Sequence, residues 1–163
     1  MRKVWKMVGS AAFFSLLAVM FQAKTYAYTD GLLDGKTMFR GSSVTSSTYE
    51  VITKWTDNNI GSRSYEVLTP VQSLKNVGWH TFSEPVSIDS FMLMANDKLD
   101  IVFYNEANEV IYKHVFDLSE NHTRVTLPQV IDHVKTVALI SSNTDDRTAV
   151  YEFEVYGAEA GDQ

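Results

Sequence analysis

"LDIVFYNEANEVIYKHVFDL" (residues 99–118) sets two apolar and aromatic runs on either side of four turn-forming residues. "LDIVFYN" (99–105) and "EVIYKHVFDL" (109–118) are rich in Val, Ile, Phe and Tyr, the residues that fit a pleated, half-buried surface, and "NEAN" (105–108) is a short hairpin loop between them. The same texture returns in "VSIDSFMLMA" (86–95), "VKTVALISS" (134–142) and "AVYEFEVYG" (149–157), each bounded by turn formers. No helical period persists for three turns. Short strands at close spacing with hairpin connections predict an all-β chain in which two sheets bury alternate side chains against each other, a β-sandwich. In the last strand, Tyr151, Phe153 and Val155 are expected on one face and Glu152, Glu154 and Tyr156 on the other.

The ends read differently from the middle. Arg2, Lys3 and Lys6 precede the apolar "MVGSAAFFSLLAVMF", and "AKTYA" supplies small residues up to Ala27, so residues 1–27 are expected to be a secretory signal peptide of bacterial type cleaved after Ala27. The apolar run falls short of the roughly 20 residues that cross a bilayer, so no membrane insertion is expected after cleavage. Residues 28–157 are then one domain, and "AEAGDQ" (158–163) has no apolar pattern and is expected to be a mobile tail. Localisation follows as secreted, extracellular or attached to the cell surface. The chain has no cysteine, so a secreted form must be held by packing or by a metal rather than by disulfides.

Charge narrows the partners. Four of the 14 Lys and Arg lie in residues 1–27 and none of the 20 acids does, which leaves 10 positive against 20 negative residues, net −10. Such a chain has no electrostatic drive toward nucleic acid or anionic surfaces.

"TDNNIGS" (56–62) gathers Asp57, Asn58, Asn59 and Ser62 around Gly61. Asp and Asn are common in turns because they bond their own backbone and tolerate left-handed φ, which is one reading. The other is a calcium loop, since Ca²⁺ takes six to eight oxygens from carboxylates, amides, hydroxyls and backbone carbonyls, with a second acid needed from elsewhere in the chain. Among the aromatics, Trp79 in "GWHTF" and Trp55 read as packing residues; Tyr49 and Tyr65 are the other rings of a kind that stacks on sugars. Arg63 and Tyr65, just past the loop, and Arg147 in "SSNTDDRTAV" (141–150) are the exposed ligand-binding candidates. Catalytic signatures are missing: His80, His114, His122 and His133 have no metal-ligand spacing, there is no Gly-x-Ser-x-Gly, and Glu152 and Glu154 are neighbours on one strand rather than a pair across a cleft. The chain reads as a non-enzyme.

Four stretches in this order resemble the discoidin or coagulation factor V/VIII type C domains, including the family 32 carbohydrate-binding modules: "GLLDGKTMFRGSS" (31–43), "WTDNNIGSRS" (55–64), "VGWHTFSEPVSIDSFML" (77–93) and "YEFEVYG" (151–157). The chain departs from that family at Asn58, where Gly is usual after Asp, at Ser62, where Thr is usual, and in lacking a tryptophan just after that position. The resemblance implies a jelly-roll β-sandwich of the galactose-binding-like type. It also implies a structural calcium ion held by Asp57, by the closing-strand glutamate, which by position is Glu152, by Ser62, and by carbonyls from Lys54 and Asn59. The expected function is a secreted, lectin-like module that binds a glycan or cell-envelope polysaccharide through loops at one end. The alternative is a structural or adhesive surface protein that meets a protein partner through an exposed apolar patch.

Overall fold

The computed structural model describes residues 28–157; the expected signal peptide (1–27) and tail (158–163) lie outside the described residues. Eight strands form within that span: β1 Met38–Gly41, β2 Glu50–Ile52, β3 Glu66–Leu68, β4 Val77–Ala95, β5 Leu99–Tyr104, β6 Val110–Phe116, β7 Val125–Ser141 and β8 Thr148–Tyr156. Two single turns of 3₁₀ helix, at Lys54–Thr56 and Leu118–Glu120, are the helical content of the described residues. Every pairing is antiparallel.

The layers of this jelly-roll β-sandwich come from two long strands. In its first half β4 pairs with β1 and with residues 136–140 of β7, which goes on to pair with β5, so one layer runs β2-β1-β4-β7-β5-β6. In its second half β4 pairs with β8, and β8 with β3, which builds the other layer. The register of β4 on β7 shifts between Thr81 and Val86, Val86 and Ile88, and Ile88 and Ser90. Such bulges bend a strand and raise its twist, which lets one strand serve both layers. Pro128 and the left-handed His133 (φ 63°) lie in the same irregular stretch of β7. A proline that reads as a strand breaker is tolerated there because a bulge leaves a backbone N–H outside the ladder.

The core between the layers is aromatic and aliphatic: Trp55, Phe91, Phe103, Phe116 and Phe153 are fully buried with Leu33, Leu68, Leu93 and Ile101. Trp55 is a packing residue, as expected; its indole N–H donates to the Glu66 carbonyl (3.3 Å) and its six-membered ring lies close against Gly78. Trp79, one residue on, points to the opposite face of β4 and is covered there by Phe39 and Tyr49. The hairpin expected from "NEAN" is present: Asn105 N–H donates to the Glu109 carbonyl (3.0 Å), and Asn108 takes left-handed φ (58°).

A methyl group at Gly78 would sit 2.4 Å from the buried Trp55 ring. Gly78→Ala should therefore lower unfolding stability by about 1–3 kcal/mol, read as a lower denaturant midpoint at unchanged slope. An unchanged midpoint would mean that the indole can slide without loss.

Candidate functional site

Strand β3 is only three residues long and pairs with residues 148–150 of β8, so the edge of β8 beyond residue 150 needs another cover. The opening loop supplies it. Leu32 N–H donates to the Val155 carbonyl (2.8 Å), and Tyr28 packs on Met92 and Tyr156. Pleat alternation sends Phe153 and Val155 into the core and Glu152, Glu154 and Tyr156 to the other side, as expected from the sequence. Tyr151 does not join the core face: the register of β8 on β4 shifts between Glu152 and Val150, so Val150 takes the core position and Tyr151 turns to the surface. Both glutamates are nevertheless 1% exposed. This face is therefore not the solvated side of an edge strand: loops lie on it, and β4 lines its far flank.

Each buried carboxylate takes backbone N–H groups from one covering loop. Glu154 Oε1 accepts from Leu33 (2.6 Å) and from Val155 (2.9 Å), and Gly31 lies so close to this carboxyl that a Cβ would fall 2.0 Å from its carbon. Glu152 Oε2 accepts from Asn58 (2.9 Å), in the middle of "TDNNIGS". The two loops hold each other as well, through Asn58 Nδ2 on Asp34 Oδ1 (2.9 Å) and Gly35 N–H on the Thr56 carbonyl (3.1 Å). Asn58 itself is left-handed (φ 61°), a conformation that asparagine adopts more readily than most residues other than glycine.

Glu152 Oε1 is the exception in this network: it is buried and has no hydrogen-bond partner. Burial, aided by the neighbouring Asp57 and Glu154 charges, pushes the Glu152 carboxyl up to about 9, against the Asn58 bond that pulls it down. Burial likewise pushes Glu154 up to about 7. An orphaned carboxylate oxygen beside a second carboxylate, Asp57, is where a cation would relieve a desolvation cost.

Asp57, Asn59, Ser62 and Lys54, four of the five expected cation ligands, line one cradle of about 460 Å³ with Gly61 and Arg63. The fifth, Glu152, approaches the same loop from β8 through its bond to Asn58. Among the described residues no three acids, histidines or cysteines cluster as a metal site. Side chains thus supply two carboxylates, and the remaining donors must be carbonyls, an amide and a hydroxyl. That set of hard oxygens suits calcium and not zinc.

Next to the cradle, and sharing Ser62 with it, is a second cleft of about 630 Å³, lined by Tyr65, Asn96, Asp146, Arg147 and Tyr151. Tyr65 and Tyr151 tilt against each other with ring centroids 5.4 Å apart, and Tyr65 is 40% exposed. Asn96 is fixed by Ala149, donating its backbone N–H to the Ala149 carbonyl (3.0 Å) and accepting at Oδ1 from Ala149 N–H (2.8 Å). Asn143 builds the loop beside it by accepting from Asp145 (2.9 Å) and Asp146 (3.0 Å) at Oδ1, while its amide donates to Asp97 (2.7 Å). A pair of rings for apolar contact, with an amide, a carboxylate and a guanidinium around it, can hold a ligand that has both an apolar face and hydroxyl groups.

Of the three expected ligand-binding residues, Tyr65 and Arg147 meet in this cleft and Arg63 stands on the rim of the cradle next to it. Tyr49 is elsewhere, edge-on to Phe39 (4.8 Å) on the outer face of the larger layer. Asn96, Asp146 and Tyr151 were not singled out from the sequence, and nothing local marks them. Glu154 was legible: it is two residues from Glu152 and so shares its face. The histidines are dispersed, with His80 Nδ1 on the Thr37 carbonyl (2.7 Å), His114 on Glu120 (2.9 Å) and His122 on the Tyr28 hydroxyl (2.9 Å).

Comparison with family models and with curated proteins returns no match. Solved structures do match in fold. The lectin domain of lectinolysin complexed with Lewis B antigen is 16% identical, with a TM-score of 0.61 over 81% of this chain and 99% of that one. A Streptococcus pneumoniae fucose binding module is 14% identical, with a TM-score of 0.56 over 78% and 98%. Chitosan-binding module 1 of a chitosanase/glucanase from Paenibacillus sp. IK-5 is 16% identical, with a TM-score of 0.51 over 78% and 98%. These likenesses establish the fold, an antiparallel jelly-roll β-sandwich.

Raised carboxyl pKa values fix a direction for stability. Between the ordinary value of 4.5 and about 9, folded metal-free protein holds a proton on Glu152 that the unfolded chain has released, so stability falls as pH rises through that window. In chelator, the unfolding free energy should be lower at pH 9 than at pH 5 by on the order of 2–5 kcal/mol, and Glu152→Gln should remove most of the difference. A flat profile for the parent protein would show that Glu152 is not desolvated.

Proposed function

We propose that this chain is a non-catalytic carbohydrate-binding module of the discoidin or factor V/VIII type C kind, exported by residues 1–27 and stabilised by a structural calcium ion. The observation that carries the reading is the cleft at the loop end: Tyr65 and Tyr151 present apolar ring faces, Asn96 and Arg147 present donors, and Asp146 presents an acceptor. Sugar rings offer the matching surface, a patch of C–H groups edged by hydroxyls. The fold neighbours support it, since the names of those proteins state binding to Lewis B antigen, fucose and chitosan.

Calcium acts here as a clamp. Asp57 and Glu152 would hold it by carboxylate, Ser62 by its hydroxyl or carbonyl, and Lys54 and Asn59 by carbonyls. Bound calcium would supply positive charge between the buried Glu152 carboxylate and the exposed Asp57. The residues do the rest: "TDNNIGS" is drawn onto β8, and Ser62, common to cradle and cleft, is set in place beside Tyr65. At free calcium a hundredfold above Kd, the clamp would add about 2.7 kcal/mol to stability.

A second reading has one observation in its favour. Val51 on the short edge strand β2 and Tyr49 just before it are 61% and 51% exposed, with Tyr49 beside the Phe39 and Trp79 rings. An unpaired strand edge with exposed apolar side chains is a surface where a protein partner can add.

Retention on immobilised polysaccharides separates the two. The glycan reading expects retention competed by free sugar, weakened about tenfold or more by Tyr65→Ala or Arg147→Ala and unaffected by Tyr49→Ala. Chelation should weaken retention and lower the melting temperature together. Absence of retention on every glycan tested, with or without calcium, would discard this reading in favour of the protein partner.

A further inference from the structure

The cationic side chains of the described residues are unevenly satisfied. Arg40 is clamped between Glu50 and Glu66 and also donates to the Val67 carbonyl (2.8 Å); Lys75 pairs with Glu50, and Lys113 with Asp100 (3.3 Å). Arg124 lies over the Tyr156 ring, and Lys135 donates to the Ser83 carbonyl (2.6 Å). Arg63 and Arg147 differ: among the described residues neither guanidinium has an ion-pair or hydrogen-bond partner. Both are exposed, and they stand on two adjoining clefts joined at Ser62.

The acids near them are already engaged. Glu66 is held by Arg40 (3.1 Å) and faces Lys54 (3.9 Å), Asp57 accepts from Asn59 N–H (3.0 Å) and neighbours Glu152, and Asp146 Oδ1 accepts from Arg147 N–H (2.7 Å). The two clefts together carry three cations, Lys54, Arg63 and Arg147, against three anions, Asp57, Glu66 and Asp146. That balance is set in a chain whose residues from 28 on are net −10. A free guanidinium offers a planar fork of N–H donors that matches a carboxylate with two parallel bonds, a fit that a hydroxyl cannot repeat. Leaving two such forks without counter-ions beside an aromatic pair suits a ligand that brings its own negative charge.

We propose that the glycan bound at this end is an acidic polysaccharide, one whose sugar carboxylates are held by Arg147 and Arg63 while a ring rests on Tyr65 and Tyr151. The proposal rests on the glycan-binding reading and adds the charge class of the ligand. General attraction cannot produce such binding, because the chain as a whole repels a polyanion; it has to come from these two side chains at short range.

The test uses one backbone in charged and neutral forms: sodium polygalacturonate and its fully methyl-esterified counterpart, with a neutral galactan alongside, each immobilised, in calcium. The expected result is retention on polygalacturonate at least about tenfold stronger than on the ester, weakening with added salt. Arg147→Ala should cost about tenfold or more, Arg63→Ala less, and Arg147→Lys should restore only part. Lys36→Ala, an exposed cation lining a different cleft beside His80, should change nothing. Both arginines are exposed, so unchanged melting temperatures will confirm that the variants fold. Equal retention on acid and ester, or retention on galactan alone, overturns the acidic-ligand inference and leaves glycan binding standing. No retention on any of the three overturns both.

Discussion

Two carboxylates buried under the loops that cover the edge of β8 organise this molecule. With β3 ending after three residues, the edge of the closing strand would be open from Glu152 onward, and the chain closes it with irregular backbone. Irregular backbone brings N–H groups that need acceptors where there is no water, and Glu154 and Glu152 provide them, one for the opening loop and one for "TDNNIGS". Desolvating two carboxylates on one strand face is costly, which is why both are driven toward the protonated form; a divalent cation, if bound at the orphaned Glu152 oxygen, would offset that cost.

That constraint also places the tyrosine-lined cleft. The loop held by Glu152 leads through Ser62 to Tyr65, and the start of β8 brings Arg147 and Tyr151 to the same spot, with Asn96 pinned between them by Ala149. The groups lining it therefore come from three separated parts of the chain, each in or next to a paired strand of the sandwich. The aromatic side chains divide by role in the same way: Trp55 and Trp79 fill the two faces of β4, and only the tyrosines reach the cleft.

Much of the fold was legible because alternation survives locally. The hairpin at 99–118 and the strand at 149–157 lie within a residue or two of where their patterns end. Strands β1, β2 and β3 are too short to carry a period, and β7 begins nine residues before its apolar run, through a proline and a left-handed histidine that a sequence reading takes as punctuation. Of the site, Asp57, Asn59 and Ser62 were visible as a cluster because a turn is a local object. Tyr65 and Arg147 were visible only as exposed loop residues, with no sign that they meet.

By itself, the sequence determined the periodicity, the turns, the parity that puts Glu152 and Glu154 on one side of a strand, and the excess of negative charge. Each of these depends on residues within a few positions of one another. Only the tertiary structure decided that this side of the strand is dry, that one carboxylate oxygen is left without a partner, and that two unpaired arginines flank a tyrosine pair. Burial and charge pairing depend on which distant segments come to lie together, and Asn58 and Glu152, 94 positions apart, carry no local trace of their contact.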